Sequence, residues 1–400
     1  MTPGGNPTHP REWPAPAGEL PTQIGINAIF LLPDMGGLVT YLCELVPELL
    51  RAAPATRLRI YCSPAGERYL HGKDWAPEVK LVSHPLWGTR GLKALSELTV
   101  LGAVAGRQVQ LLHSIALTAP LRTRAANVVT IADTTWMTGR DPDLTTRLWR
   151  AIVPPVARRA DRVIAISRAS ADDIERHLGI PTELIDVTFL GHSQRPRAIA
   201  ADSTELRRRL GFGERTIVLT VAARKPHKNL QRLIGAMPSV VAAHPDAMLV
   251  LVGSPTAHEA ELHRSTEALQ LGDRVAFLPF VDDAELESLY AAAQCFVLPS
   301  LNEGFGLPLL EAMGRGVPVA CSNVSALPEV AGSAARYFDP RSVREIAAAI
   351  NELLADDGLR KRLTARGHER HAQLTWTATA EATLESYARA WHSKRTRQTG

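Results

Sequence analysis

Four hundred residues are too many for one ordinary domain and point to two. An apolar fraction of 45% is enough for sizeable cores, and a net charge of only +4, with arginines spread along helical segments, argues against a nucleic-acid partner. Cys43, Cys62, Cys295 and Cys321 sit singly in apolar runs without Cys-x-x-Cys or Cys/His spacing, so buried thiols are expected rather than disulfides or zinc.

Residues 1–20 are rich in Pro and Gly without periodicity and read as a disordered tail. The start has no charged-then-apolar leader and no apolar run is long enough to span a bilayer. A cytoplasmic location follows, with peripheral contact to the inner membrane surface left open. The first strand runs from Ile24 to Leu31 and ends in the turn Pro33-Asp34-Met35-Gly36-Gly37. The next helix keeps Leu38, Tyr41, Leu42, Leu45, Val46, Leu49 and Leu50 on one face. Strands follow at Leu58–Cys62, Val109–His113, Val128–Ala132, Arg162–Ile166 and Ile185–Leu190, with helical segments between most of them. Gly191 to Arg197 reads as a linker. The alternation then restarts, with strands at Thr216–Val221, Met248–Gly253, Val275–Leu278, Cys295–Leu298 and Val317–Cys321. The fold class is therefore α/β: two doubly wound parallel-sheet domains, 21–194 and 195–375, facing across a cleft. A last helix covers 376–392, and a basic tail, 393–400, is expected to fray.

The most informative stretch is Pro299 to Met313, PSLNEGFGLPLLEAM, between two buried strands. It combines a strand, a Gly-x-Gly turn (Gly304, Gly306) and a proline-started helix, which leaves free backbone N–H groups of Gly304, Phe305, Gly306 and Leu307 for an anion. Glu303 and Glu311 flank that turn. Carboxylates beside an anion site suit sugar hydroxyls, so the pairing suggests a phosphorylated sugar. A second constellation, Arg224-Lys225-Pro226-His227-Lys228-Asn229, follows the first strand of the second half and offers cations for a phosphate group. Asp141-Pro142-Asp143 imitates a metal-binding pair, but its place before a helix favours N-capping. No metal site is expected.

The run with Glu303 and Glu311, followed by Gly316-Val317-Pro318-Val319 and Ser325-Ala326-Leu327-Pro328-Glu329-Val330, resembles the Glu-x7-Glu region of retaining family-4 glycosyltransferases, which have the GT-B fold. The resemblance covers about residues 22–390. It implies a metal-independent hexosyltransferase with no cofactor beyond its nucleotide diphosphate sugar, and a carbohydrate, lipid-linked or small-molecule acceptor. It also implies that the last helix packs back on the N-terminal domain. Glu303 would hold the transferred sugar, Glu311 the ribose, and Lys228, with Arg224 or Lys225, the diphosphate. Gly36 and Gly37 match the family's N-terminal glycine loop. One position departs: Ala132 stands where the family commonly has a histidine, while Asp133 remains, and Asp133 and His113 become acceptor-side candidates. The departure leaves open a GT-B protein that binds a nucleotide sugar without transferring it, and an epimerase is a further alternative. A nicotinamide-dependent dehydrogenase is disfavoured because the Gly36-Gly37 turn lacks the Gly-x-Gly-x-x-Gly spacing. The acceptor side is assigned to loops around Trp87 and Trp136.

Overall fold

The computed structural model describes residues 19–31, 36–89, 92–138, 144–192 and 203–399. The N-terminal lobe holds β1 (Gln23–Ala28), β2 (Arg57–Cys62), β3 (Lys80–Ser83), β4 (Leu111–Ser114), β5 (Ala126–Ile131), β6 (Arg162–Ala165) and β7 (Ile185–Val187). They form a seven-stranded parallel sheet in the order β3-β2-β1-β4-β5-β6-β7. The second lobe holds β8 (Thr216–Val221), β9 (Ala247–Val252), β10 (Val275–Leu278), β11 (Ala293–Leu298), β12 (Val319–Ser322) and β13 (Ala335–Phe338). Its six parallel strands run β10-β9-β8-β11-β12-β13. In each sheet the chain order reverses at the centre, between β1 and β4 and between β8 and β11. Crevices at the carboxyl ends of such switch points are where ligands bind.

Most strands match the expected apolar runs, because strands covered on both faces are near-continuously hydrophobic. Two edge strands, β3 and β13, are additional. Each has four residues, and β3 is exposed or half-buried throughout, so its pattern is too short and too polar to stand out. β1 stops three residues early, at Ala28. The Asn27 side-chain oxygen accepts the Ile29 N–H at 3.2 Å and turns the chain out of the sheet.

The helix Trp376–Thr399 lies on the N-terminal lobe, where Trp376, Ala380, Leu384, Tyr387 and Ala390 are buried. The Trp376 ring sits 6.0 Å from Tyr41 on the Gly36–Ala52 helix. Residues 393–399 correct the expectation of a frayed tail, since they continue this helix. Lys394 reaches the Thr123 carbonyl, and Arg397 pairs with the buried carboxylate of Asp161. The two passages between lobes lie side by side: His192 N–H donates to the Leu374 carbonyl at 2.9 Å. A Cβ on Gly191 would stand 2.0 Å from the Trp376 nitrogen, so only glycine fits there. The rest of the expected linker, from 193 on, lies outside the described residues, as does Asp141-Pro142-Asp143. All four cysteines are free and buried, and burial pushes the Cys62 and Cys295 thiols up to about 12. No helix among the described residues is long and apolar enough to cross a membrane.

Candidate active site

The loops after β8 and β11, the two switch-point strands of the second lobe, bring Lys228 and Glu303 together. Lys228 Nζ donates to both Glu303 carboxylate oxygens, at 2.7 and 2.8 Å. Both side chains are mostly buried, 19% and 11% exposed, so the pair is far less solvent-screened than a surface bridge. Glu303 is fixed from three further directions. Ser300 Oγ donates to its carboxylate at 2.7 Å, Ser325 Oγ donates to its carbonyl at 2.7 Å, and its own N–H donates to Ser325 Oγ at 3.1 Å.

The turn Pro226–Lys228 is tied to the same loop, because Leu301 N–H donates to the His227 carbonyl at 2.8 Å. Behind it, buried Asn229 adopts a left-handed φ of 59° and donates to the Pro299 and Pro340 carbonyls. These bonds hold Lys228 beside Glu303 with little freedom. Lys225, at the start of the turn, is exposed.

Gly306 has a φ of 102° and precedes the helix Leu307–Gly314, whose amino end has no side-chain cap. Pro308 has no N–H and the Leu309 N–H donates to the Gly306 carbonyl at 2.9 Å, so the Leu307 N–H, with the turn amides before it, is what remains for an anion. Gly304 touches the opposite lobe: a Cβ there would stand 2.4 Å from the Ala132 carbonyl oxygen. Ser170 Oγ bridges the contact, 2.8 Å from the Ala132 oxygen and 3.2 Å from the Gly304 oxygen. Phe305 is buried against Phe189 of the N-terminal lobe. The lobes also meet at Glu329, whose carboxylate accepts the Arg168 and Ala169 N–H groups at 3.0 and 2.9 Å. These amides open the helix Arg168–Leu178, and its dipole favours a negative group there.

Asp133 therefore lies next to Gly304 across the lobe boundary. One of its oxygens caps Thr135 N–H at 2.9 Å. Glu311 has partners of its own, with Tyr290 OH donating to its carboxylate at 3.1 Å and Arg315 and Glu287 acting on its charge. Burial raises its carboxyl above the usual range, while Arg315 and Tyr290 pull it down. Gly36 and Gly37 open the Gly36–Ala52 helix, are exposed, and have open space where a Cβ would sit.

Two expectations are corrected. Arg224 is not held in reserve for a phosphate. It is 2% exposed, paired with Glu259 at 2.7 Å, bonded to the Leu278 carbonyl and stacked on Phe277. Of the two residues offered as the second cation, Lys225 is the exposed one. His113 is wholly buried under the terminal helix, with Nδ1 2.7 Å from Tyr387 OH and Nε2 2.7 Å from Thr130 Oγ1, and burial lowers its pKa to about 3. In the segments offered for the acceptor side, the Trp87 and Trp136 rings are buried, Trp87 against Tyr61 and Trp136 bonded to the Asp133 carbonyl.

Sequence reasoning gave no role to Ser300, Ser325, Glu329 and Tyr290, although Ser300, Ser325 and Glu329 lie inside the quoted motifs. It also missed Glu97, on a π-helical turn, Glu97–Leu101, at the carboxyl ends of β1 and β4. Asn27 Nδ2 donates to Glu97 Oε1 at 2.6 Å and to Ser114 Oγ at 3.1 Å. Burial pushes the Glu97 carboxyl up to about 7, against the pull of Asn27, Thr118 and Lys93.

Comparison with known proteins agrees with this architecture. The sequence model described as Glycosyltransferase Family 4 matches residues 35–191, and that described as Glycosyl transferases group 1 matches residues 202–370. O-antigen chain mannosyltransferase B of Escherichia coli is 34% identical over 231 residues, 57% of this chain and 60% of that protein. A D-inositol 3-phosphate glycosyltransferase of Streptomyces bingchenggensis is 30% identical over 247 residues, 59% of this chain and 54% of that protein. The matched region spans three-fifths or less of the length of these relatives. Sucrose-phosphate synthase from Thermosynechococcus elongatus superposes with a TM-score of 0.70 at 21% identity, over 90% of this chain and 96% of that one. Anabaena HepE, solved with UDP-glucose, gives 0.69 at 20% identity, over 90% and 98%. With one family model on each lobe and the GT-B architecture beneath them, the chain belongs to the family-4 glycosyltransferases, the glycosyl transferases group 1.

Proposed function

We propose that the protein transfers a hexose-type sugar from a nucleotide diphosphate sugar to an acceptor hydroxyl, with retention at the anomeric carbon, in polysaccharide or glycolipid synthesis. The observation that carries this reading is the Lys228–Glu303 pair at the switch point of the second lobe. A lysine ammonium has three donors. Two go to Glu303, which leaves the third for an oxygen of the departing diphosphate. The open amides at Gly304 to Leu307 complete that positive field, so the reading uses no metal. Glu303 orients hydroxyls of the transferred sugar, and Glu311 takes those of the ribose. The leaving phosphate accepts the acceptor proton on the same face, and Asp133 orients the acceptor hydroxyl from the opposite lobe. No further cofactor enters this scheme. The mannosyltransferase among the relatives supports a hexosyl donor and makes a nucleotide-linked mannose the first to try.

Lys228→Ala is expected to lower kcat/KM at least tenfold, since an electrostatic contact to developing charge is worth roughly 2–4 kcal/mol. Steady-state kinetics with the donor that most raises the melting temperature in a nucleotide-sugar panel checks this. Unchanged turnover in the variant would overturn the assignment.

A further inference from the structure

The turn that carries Lys228 also carries a side chain that neither the packing nor the phosphate scheme uses. His227 is half-buried, and no hydrogen bond joins its ring to another described residue. Its backbone is nevertheless fixed, because the 2.8 Å bond from Leu301 N–H to its carbonyl pins it to the loop of Glu303. The charges that act on the ring come from both lobes. Lys225, Lys228 and Glu303 lie on its own side, and Asp133 lies on the other. The Gly304–Ala132 contact explains how they converge, since it brings the chain before Asp133 against the residue after Glu303.

This environment suits a hydroxyl better than a phosphate. Burial and the two lysines hold the imidazole below its usual pKa, with Glu303 and Asp133 pulling the other way, so near neutral pH the ring is uncharged. A neutral imidazole both donates and accepts, whereas the flanking carboxylates only accept. A sugar hydroxyl placed among them needs a donor for its lone pairs as well as acceptors for its proton. We infer that His227 is a substrate-contacting residue, supplied by the second lobe, whose ring hydrogen-bonds a hydroxyl of the transferred sugar between Glu303 and Asp133. The inference rests on the glycosyl-transfer reading and adds to it a specificity contact that requires the lobes to be together.

The test uses the full chain and its His227→Asn and His227→Ala variants, with GDP-mannose and UDP-glucose as donors and GDP and UDP as sugar-free probes. Sugar release from the preferred donor, to acceptor or to water, is expected to fall at least tenfold in His227→Ala and less in His227→Asn, which keeps hydrogen-bonding atoms. Affinity for the sugar-free nucleotide, measured by calorimetry, is expected to stay within twofold. The acid limb of the wild-type pH–rate profile, set by protonation of the ring, is expected to flatten in His227→Asn. Equal release rates in wild type and both variants would refute the contact. So would a loss of nucleotide affinity as large as the loss of rate, which would place His227 on the phosphates. If the wild type binds the probes but releases no sugar, the transfer reading fails first and the contact falls with it.

Discussion

Gly304 has its identity set by the opposite lobe. A methyl group there would meet the Ala132 carbonyl at 2.4 Å, backbone that has no flexible end to swing away. Gly304→Ala should therefore hold the lobes apart without unfolding either, at a cost of about 1–3 kcal/mol to the closed arrangement. The expected result is at least a tenfold loss in kcat/KM with a larger radius of gyration by small-angle scattering; wild-type turnover would contradict it. Glu97 makes a residue-scale prediction of the opposite kind. Its folded carboxyl keeps a proton up to about pH 7, whereas the unfolded chain releases it near 4.5. The native state thus binds more protons between those values, and this group's contribution to stability falls as pH rises through the window and levels off above it. At about 1.4 kcal/mol for each tenfold change in proton affinity, the wild type carries a penalty on the order of 3 kcal/mol above pH 7. Glu97→Gln should remove that slope, so the gap between variant and wild type in denaturant titrations should widen in the variant's favour from pH 4.5 to 7. A gap that is flat with pH would refute it.

At the scale of elements, the sequence was most legible where the physics is local. Buried strands such as β8 and β9 are continuous aliphatic runs, and the glycine turn before the Leu307–Gly314 helix advertises its open amides. The pairing of Lys228 with Glu303 was not legible; it arises because both loops leave β8 and β11, which the sheet order makes neighbours. What stayed illegible depends on distant partners. Whether Arg224 faces a ligand or a helix is decided by Glu259, and whether His113 faces a cleft or a core is decided by Tyr387, 274 positions away. Strand β13 alternates Arg336 with apolar neighbours at a sheet edge, and nothing local marks it as paired. His113 also links the terminal helix to acidity. Its ring is neutral in the fold down to about pH 3, while the unfolded chain takes up a proton near 6.5. Stability from this group is complete above pH 6.5 and drains away as pH falls toward 3. His113→Phe, which strands the Tyr387 hydroxyl while Thr130 keeps Tyr41, should cost about 1–3 kcal/mol at pH 8 and less at pH 5, measured by urea unfolding. An equal cost at both pH values would argue against it.

At the scale of the whole molecule, contacts among the described residues that hold the lobes at their present spacing include the Gly304–Ala132 approach, with Ser170 bridging it and Phe305 on Phe189, and the Glu329 carboxylate on the Arg168–Leu178 helix. The first is mainly steric and the Glu329 contact electrostatic, so the Glu329 contact should be the adjustable one. Glu329→Ala should raise KM for the donor several-fold while leaving the melting temperature within a few degrees, because Glu329 is not part of the buried apolar clusters. A variant with unchanged KM and scattering profile would show that Glu329 does not govern closure. The terminal helix has a different consequence, one of timing. The strands of the N-terminal sheet precede the second lobe in the chain, but Trp376, Leu384 and Tyr387, which cover one face of that sheet, are translated only after the second lobe. The nascent N-terminal lobe must wait, half-clothed, while the second lobe is built, and a chain stalled at residue 375 should expose its first 190 residues to protease although its later lobe is already folded.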